Sequence, residues 1–254
     1  MNRARLPLLL VALCLAATPA VAAKDPAKTR ADAARINARL AVEYMKQGQL
    51  ATAREKIEKA LVQNPKDPSV QFGAGLLYEQ LREPDRAERH YRQALRLEPD
   101  NPDAQNALGA FLCRNGQATK GEATFMQAAA NPLYQTPEVA YTNAGVCARR
   151  AGRLAEAESH LRLALAQRAV YPEALLQMAG ISYERGNQLQ ARAFLQRYLD
   201  AAPATPDVLL LGHQVEQALG DPAAAAEFAT RLRAQFPESP EARILEELLS
   251  EAAR

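Results

Sequence analysis

The sequence has few of the residues that build turn-rich or catalytic proteins. Its 254 residues include no tryptophan, 6% aromatic residues, 12 glycines and three histidines. Scarce glycine argues against an all-β fold with many tight turns. Conspicuous alanine, the best helix former, indicates closely packed helices instead. Charged residues make up 24% and are interspersed with 48% hydrophobic residues, which is typical of a folded chain rather than a disordered one.

A strong charge of one sign is also missing. The formal net charge is +2, and Arg3 and Arg5 supply an excess of the same size in a segment that we expect to be removed. The mature chain is therefore close to neutral. Such a balance does not indicate a surface for nucleic acid or for anionic membranes.

The N-terminal segment 1–22 has the pattern of a secretory signal peptide. Arg3 and Arg5 precede an apolar run from Leu6 to Ala17, and positions 20–22 form a small-x-small cleavage site. The run is shorter than the roughly 20 apolar residues of a transmembrane helix, and prolines interrupt it. We therefore expect export, with a retained anchor as the alternative. No later stretch is apolar enough to predict a membrane span.

Cys14 allows a second interpretation of the same segment. Positions 11–14 are similar to a bacterial lipoprotein box, in which Cys14 would be acylated and become the first mature residue. That pattern has a small residue before the cysteine, whereas Leu13 is bulky. The alternative is that Cys14 is one more apolar residue of a signal peptide cleaved after Ala22.

The rest of the chain repeats with a regular period of about 34 residues, a length typical of helical repeat proteins. In the second unit Gly75, Ala87, Tyr91 and Pro99 mark the pattern, and the same spacing recurs in the other units. The fifth unit then lacks one residue in its internal turn. The units are aligned on the pairs Leu40-Ala41, Ala74-Gly75, Leu108-Gly109, Ala144-Gly145, Ala179-Gly180 and Gly212-His213.

This period is that of the tetratricopeptide repeat, a helix–turn–helix unit whose small residues let its two helices cross closely. We predict an all-α, right-handed superhelical solenoid of six tetratricopeptide repeats with a C-terminal capping helix. The expected divisions are a signal peptide (1–22), a flexible N-terminal lead (23–33), six repeats over 34–237 (34–67, 68–101, 102–137, 138–172, 173–205 and 206–237) and the capping helix (238–254). The lead could instead extend the first helix.

Local signals support these helices. Five residues that commonly cap helices precede a proline and predict helix starts: Asp67, Asn101, Thr136, Thr205 and Ser239. The capping helix is expected to cover the sixth repeat with one apolar face: Ile244, Leu245, Leu248 and Leu249. The segment 131–137 lengthens the link between the third and fourth repeats, where it adds two prolines, Leu133 and Tyr134.

Cys113 and Cys147 are the two cysteines left after Cys14 is removed or acylated. They lie one repeat period apart, on the first helices of neighbouring repeats. An even number of cysteines in an exported chain favours a disulfide between them. The alternative is two small apolar residues in the core between repeats.

The sequence offers little catalytic or metal-binding chemistry. His90, His160 and His213 are too far apart to predict a metal site, and we expect His90 and His160 to be solvated on the convex side. Nucleophile elbows, phosphate-binding loops and dinucleotide fingerprints are missing. We therefore expect no cofactor, no metal and no enzymatic activity.

The inner face of such a solenoid is the natural binding surface, because the first helix of each repeat lines it. Asn106 and Asn143 are expected to clamp a bound backbone, since an amide both donates and accepts. Core packing is the alternative for each apolar member. The predicted contacts are Phe72, Leu76, Asn106, Ala110, Asn143, Val146, Met178 and Ile181, with Arg114, Arg149, Arg150 and Arg185 near the edge.

Ala38, Phe72 and Asn106 occupy the positions where chaperone-tail-binding repeats carry a Lys/Arg clamp. Recognition of a free carboxyl terminus is therefore disfavoured. The convex side and the Leu133-Tyr134 link are the competing surfaces.

With this layout, the chain resembles the PilF/PilW family of type IV pilus biogenesis proteins. The resemblance rests on the signal peptide, the six repeats, the Asn-Pro-Leu-Tyr insertion (131–134) between two cysteine-bearing repeats, and the stretches 218–221 and 236–241. Members are outer-membrane lipoproteins that act as pilotins.

The resemblance implies a non-catalytic assembly factor that helps the type IV pilus secretin to reach, or multimerise in, the outer membrane. The chain would then be monomeric, would bind no nucleic acid, and would associate with the outer membrane from the periplasm through a lipid or through its partner. A periplasmic repeat scaffold for another cell-envelope assembly is the alternative. A regulatory subunit or enzyme would need a bound ligand or metal.

Overall fold

The computed structural model describes residues 26–252, and over that range the chain forms thirteen α-helices and no strand. The predicted signal peptide and Cys14 lie outside the described residues. The helices are α1 (Pro26–Lys46), α2 (Leu50–Gln63), α3 (Pro68–Gln80), α4 (Pro84–Leu97), α5 (Pro102–Arg114), α6 (Ala118–Ala130), α7 (Pro137–Arg150), α8 (Leu154–Gln167), α9 (Pro172–Glu184), α10 (Gln188–Ala201), α11 (Pro206–Leu219), α12 (Pro222–Gln235) and α13 (Pro240–Ala252).

The helices pack as six consecutive pairs followed by α13. Each odd-numbered helix, called an A helix below, packs on the even-numbered B helix that follows it, and each B helix packs on the next A helix. The A helices also contact one another along much of the chain. This arrangement is an all-α tetratricopeptide solenoid, as the period of the sequence predicts.

Close crossing of the helices within a pair explains why small residues recur. A Cβ atom added at Gly75 would lie 2.6 Å from the Tyr91 ring, and one at Gly109 would lie 2.8 Å from the Phe125 ring. Both distances are far below van der Waals contact. A glycine on the A helix therefore leaves room for a large side chain of the B helix.

The turn inside each pair depends on a left-handed residue. Gly48, Gly116, Gly152 and Gly186 all have φ near +75° at this turn, where glycine carries no Cβ penalty. Arg82 takes the same place in the second repeat with φ 58°, and it is the only non-glycine residue with positive φ among residues 26–252. The second repeat therefore has a strained turn.

Three of the five predicted N-caps form. Asp67 accepts from the Ser69 amide at 3.0 Å, Asn101 from the Ala104 amide at 2.9 Å, and Ser239 from the Ala242 amide at 3.1 Å. Thr136 and Thr205 make no side-chain cap, although all five predicted helix starts are confirmed, with each helix beginning at the proline. The Thr205 hydroxyl instead donates to Asp207.

The predicted flexible lead is helical over the part that the structure describes. Helix α1 begins at Pro26, so the segment 26–33 extends the first helix. Alanines in this stretch favour the helix, and Arg30 fixes it to the second helix by donating from Nη2 to the Val62 carbonyl at 2.8 Å. Of the two alternatives for this segment, the structure has the helical one.

Helix α13 covers the sixth repeat with a narrower face than predicted. Leu245 is fully buried, and Ala242 and Leu249 pack beside it against α11 and α12. Ile244 and Leu248 are exposed, because they lie roughly 100° or more around the helix from the centre of the buried stripe. Including them in the capping face was therefore wrong.

Candidate protein-binding face

The A helices carry the residues predicted to bind a partner. Six of these residues are partly exposed: Phe72, Leu76, Asn106, Ala110, Asn143 and Val146. The other two, Met178 and Ile181, are only 1% exposed and pack in the core between α8, α9 and α10. Assigning Met178 and Ile181 to the binding surface was wrong.

The error comes from the alignment of the fifth repeat. The left-handed Gly152 follows Gly145 by seven positions, and the left-handed Gly186 follows Ala179 by the same number. Ala179, not Gly180, is therefore the equivalent of Gly145, and the fifth repeat lacks no residue in its turn. On this register Met178 and Ile181 correspond to Ala144 and Cys147, which are also buried.

The apolar part of the face lies at the first two repeats. Phe72 on α3 forms a shallow pocket of about 180 Å³ with Ala38, Val42 and Gly73. Leu76 lies one turn further along α3, and both side chains pack on the core without being buried by it. Val42 was not among the predicted contacts, although it lies one repeat period before Leu76. Apolar side chains thus stay accessible here.

Asn106 and Asn143 join α5 and α7 in the middle of the face. Asn143 donates from Nδ2 to Asn106 Oδ1 at 3.0 Å. Within residues 26–252, Asn106 Nδ2 and Asn143 Oδ1 have no partner. The pair therefore presents one donor and one acceptor side by side, which is the requirement for binding a peptide group.

The fifth repeat differs from the others at the position that carries an apolar side chain on the earlier A helices. On the corrected register Gly180 takes the place of Leu76, Ala110 and Val146, and it has no side chain. The Arg149 guanidinium lies against it, so that an added Cβ atom would be 2.6 Å from Arg149 Nη2. Arg149 also donates to Gln177 Oε1 at 2.8 Å and to Glu184 Oε1 at 3.1 Å. The polar groups here satisfy one another.

The other predicted edge arginines differ in their surroundings. Arg114 pairs with Glu79 of the preceding A helix at 2.9 Å, and Arg185 pairs with Glu158. Arg150 is exposed and has no ion-pair partner within the described range. The Tyr91 hydroxyl also donates to Glu79 at 2.8 Å, and burial raises the pKa of Tyr91. Glu79 is thus held by α4 and α5 together.

The histidines are more enclosed than predicted. His90 Nδ1 lies 2.7 Å from Gln71 Oε1, and its ring stacks on Tyr78. Burial lowers the pKa of His90, with nearby arginines adding to the effect. His160 is half-buried with Nε2 3.5 Å from Glu122, and His213 is buried. The expectation that His90 and His160 are solvated was therefore wrong.

A disulfide connects the third and fourth repeats. Cys113 on α5 and Cys147 on α7 are joined through their sulfur atoms, and their Cα atoms lie 5.7 Å apart, within the range that disulfides require. This is the junction that carries the lengthened link. Covalent linkage therefore holds the one place where the spacing of the repeats changes.

Other kinds of site are missing from the part of the chain that the structure describes. Residues 26–252 hold no cluster of three or more histidine, cysteine or acidic side chains arranged for a metal ion. None of the helices in this range is both long and apolar enough to cross a membrane.

Known proteins share this architecture along its length. Models of the tetratricopeptide repeat match residues 38–88, 70–111 and 173–205. The crystal structure of PilW, a widely conserved type IV pilus biogenesis factor, is 33% identical, covers 84% of this chain and 97% of its own, and superposes with a TM-score of 0.75. The chain belongs to the PilF/PilW family.

Two further similarities concern PilF itself. The type IV pilus assembly protein PilF of Pseudomonas aeruginosa is 23% identical over 234 residues, which are 90% of this chain and 93% of PilF. A solved structure of P. aeruginosa PilF is 22% identical and has a TM-score of 0.73 over 86% of this chain and 99% of its own. Cellulose synthase operon protein C of Xanthomonas axonopodis is 27% identical, but over only 12% of its length. The likeness to PilF and PilW thus extends over nearly the whole of those proteins.

Proposed function

We propose that this member of the PilF/PilW family is a pilotin. It acts in the periplasm at the outer membrane, where it promotes the localisation or multimerisation of the type IV pilus secretin without catalysing a reaction. The fold and the family support a protein-binding role in type IV pilus biogenesis. The secretin as partner comes from the family resemblance.

The accessible apolar side chains on the first three A helices carry this proposal. Val42, Phe72, Leu76 and Ala110 lie on the face that repeats of this kind use for peptides, and each keeps part of its surface in solvent. Burying one side chain of this size under a partner contributes typically about 1.5–3 kcal/mol.

Asn106 and Asn143 give this face its polar anchor. Their unpaired donor and acceptor lie beside Ala110, at the end of the apolar stretch. A partner segment that runs from Phe72 towards Val146 would place its backbone over them. We therefore propose that a secretin segment binds in an extended or helical form along α3, α5 and α7.

The test is a charge placed in the apolar stretch. We expect Leu76→Asp to abolish secretin multimers in the outer membrane while circular dichroism stays that of the parent protein. Leu163→Asp on helix α8 is the matched control, because Leu163 is also apolar and partly exposed but lies on a B helix. Normal multimers with a folded Leu76→Asp protein would refute the assignment of this face.

Deletion of the protein, with the same measurement of secretin multimers, separates the alternative role. A scaffold for another cell-envelope assembly would share the fold and the apolar face. Deleting the whole protein would then leave secretin multimers unchanged, and the secretin would not co-purify with it.

Attachment to the outer membrane has its own test. We propose that cleavage follows Ala22 and that the protein is held at the membrane by its partner, because Leu13 is bulky for a lipoprotein box. Mass spectrometry of the mature N-terminus should then find Ala23, and Cys14→Ala should leave the distribution between membrane and soluble fractions unchanged. A diacylglyceryl group on Cys14 would contradict this proposal.

A further inference from the structure

Two neighbouring links between repeats expose apolar side chains on the same edge of the solenoid. Leu133 lies between α6 and α7 and is 79% exposed. Val170 lies between α8 and α9 and is 56% exposed. Each is followed by a tyrosine, Tyr134 and Tyr171. These four residues are called the link patch below.

The backbone holds Leu133 in its exposed position. Asn131 Nδ2 donates to the Asp100 carbonyl at 2.7 Å, which connects this link to the preceding one. Asn131 Oδ1 accepts from the Leu133 amide at 2.9 Å, and the Asn131 carbonyl accepts from the Tyr134 amide at 3.0 Å. Since Asn131 uses both ends of its side chain here, Leu133 projects from a defined turn.

The two tyrosines belong to one surface. Arg168 Nη1 lies 3.8 Å from Glu138 at the start of α7, and its guanidinium carbon lies 5.5 Å from the centre of the Tyr171 ring. Burial raises the pKa of Tyr134 and of Tyr171, and the charge of Glu138 adds to both shifts. Both phenol groups thus lie near Glu138. Tyrosines that are half apolar and half polar are enriched at binding hot spots.

The surroundings of the link patch are acidic. Glu98, Asp100, Asp103 and Glu173 are exposed and form no ion pair with a basic residue in the described range. Two arginines lie at the second link: Arg168 is engaged by Glu138, and Arg197 Nη2 donates to the Ala169 carbonyl at 2.8 Å. Val62 on α2 offers the contrast, because it is 72% exposed and its carbonyl accepts from the guanidinium of Arg30.

A groove beside Leu133 provides space for a side chain. It has a volume of about 680 Å³ and is lined by Pro99, Gln127, Ala130 and Leu133, with Asp100 at its rim. The lining combines apolar residues with the amides of Gln105, Gln127 and Asn131. Together with the Asp100 carboxylate, its apolar part suits a side chain that is itself apolar and is followed by a cation.

We propose that the link patch docks a basic segment of a partner protein, with an apolar side chain in the Leu133 groove and lysine or arginine residues facing the acidic rim. The charge of the rim selects against phosphate-bearing partners such as nucleic acids and anionic lipids. This second surface differs in chemistry from the concave face, whose free groups are apolar side chains and amides. It therefore goes beyond the secretin-binding role.

The test is site-specific photocrosslinking in the organism that makes the protein. Benzoylphenylalanine replaces Leu133 in the full chain, and the same group at Val62 is the control because the two positions are similarly exposed but oppositely surrounded. We expect an adduct from position 133 that is absent from position 62. Its partner peptide, mapped by mass spectrometry, should carry a net positive charge.

Charge reversal then tests the acidic rim. Glu98→Lys with Asp100→Lys should lower the adduct yield roughly tenfold, the lower end of what electrostatic steering contributes to association. Glu55→Lys with Glu58→Lys, which changes the charge equally on α2, should leave it unchanged. Leu76→Asp should also leave it unchanged, which separates this site from the concave face.

Any of four results would overturn the proposal: no adduct at position 133, a mapped peptide that is neutral or acidic, an adduct to lipid or to a second copy of the chain, or a yield that resists reversal of the rim.

Discussion

The first three repeats and the fifth use the same helix position in opposite ways. Val42, Leu76 and Ala110 present apolar groups to solvent at this position, whereas Gly180 presents none and is covered by Arg149. Exposed apolar surface stabilises a complex only when a partner covers it and removes it from water. Arg149, Gln177 and Glu184 already satisfy one another, so a partner that displaced them would gain little.

The comparison divides the solenoid into a binding half and a supporting half. The A helices of the third, fourth and fifth repeats are held to one another by the disulfide of Cys113 and by the contacts of Arg149, and α5 and α7 also carry the polar end of the binding face. Towards the N-terminus the pocket of Phe72 stays open. A stiff support beside an accessible face keeps that face preorganised, which reduces the entropy lost on binding.

The largest expected difference between the halves is in stability. Ile181→Asp places a carboxylate in the core and should lower the free energy of unfolding by roughly 3–5 kcal/mol. Leu76→Asp should lower it by less than about 1.5 kcal/mol, because the side chain is already partly solvated. Urea denaturation followed by circular dichroism measures both. Equal losses would mean that the two positions are not core and surface.

Removing the disulfide should weaken the supporting half. Cys113→Ala with Cys147→Ala opens a closed loop one repeat long and should lower the free energy of unfolding by about 3–4 kcal/mol. The urea midpoint of the parent protein with and without reductant measures the same change. Titration of the denatured, unreduced protein should find neither Cys113 nor Cys147 free, and two free thiols would contradict the bond.

Asn143→Ala should have a moderate effect that tests the boundary between the halves. It removes the donor to Asn106 Oδ1 and one of the two groups offered to a partner. Secretin binding should weaken by roughly 1–3 kcal/mol if a buried amide of the partner is left unpaired. Isothermal titration with the purified secretin measures this, and Asn187→Ala, in a turn away from this face, is the control. An unchanged dissociation constant would exclude the asparagine pair from the interface.

The smallest expected effect is an increase in stability within the binding half. Arg82→Gly relieves a left-handed backbone position that glycine occupies in the neighbouring repeats, and it should raise the free energy of unfolding by about 1 kcal/mol. Arg114→Gly, at the last residue of helix α5, should instead lower it, because it removes the ion pair with Glu79. A loss of stability in Arg82→Gly would show that the Arg82 side chain contributes more than its backbone costs.

The period of the sequence was enough to predict the fold, the helix pairs and which cysteines face each other. The same period also indicates Val42 as a residue of the binding face, because Val42 lies one period before Leu76. The register of the fifth repeat could not be decided by its small residues alone, because Ala179 and Gly180 both satisfy the pattern. Only the packing of Leu195 and the turn at Gly186 distinguish them.

The contacts of polar side chains could not be predicted from the sequence either. Nothing in the spacing indicates that Arg149 reaches the next A helix and lies on Gly180, because that depends on rotamers and on Gln177 and Glu184 together. The Asn106–Asn143 bond was missed for the same reason. Thr136 and Thr205 have the residue type of a cap, but the Thr136 backbone lies outside the extended region usual for a cap, and the Thr205 hydroxyl donates to Asp207 instead.

The central claim is that the partner binds the apolar half of the concave face. Its most direct test is the dissociation constant of the purified secretin for Leu76→Asp and for Arg149→Ala, measured by isothermal titration at the same salt concentration. We expect Leu76→Asp to weaken binding at least about tenfold, since a loss of about 1.4 kcal/mol is tenfold, and Arg149→Ala to change it less than about threefold. Strong weakening by Arg149→Ala with no effect of Leu76→Asp would place the partner on the other half and contradict the account.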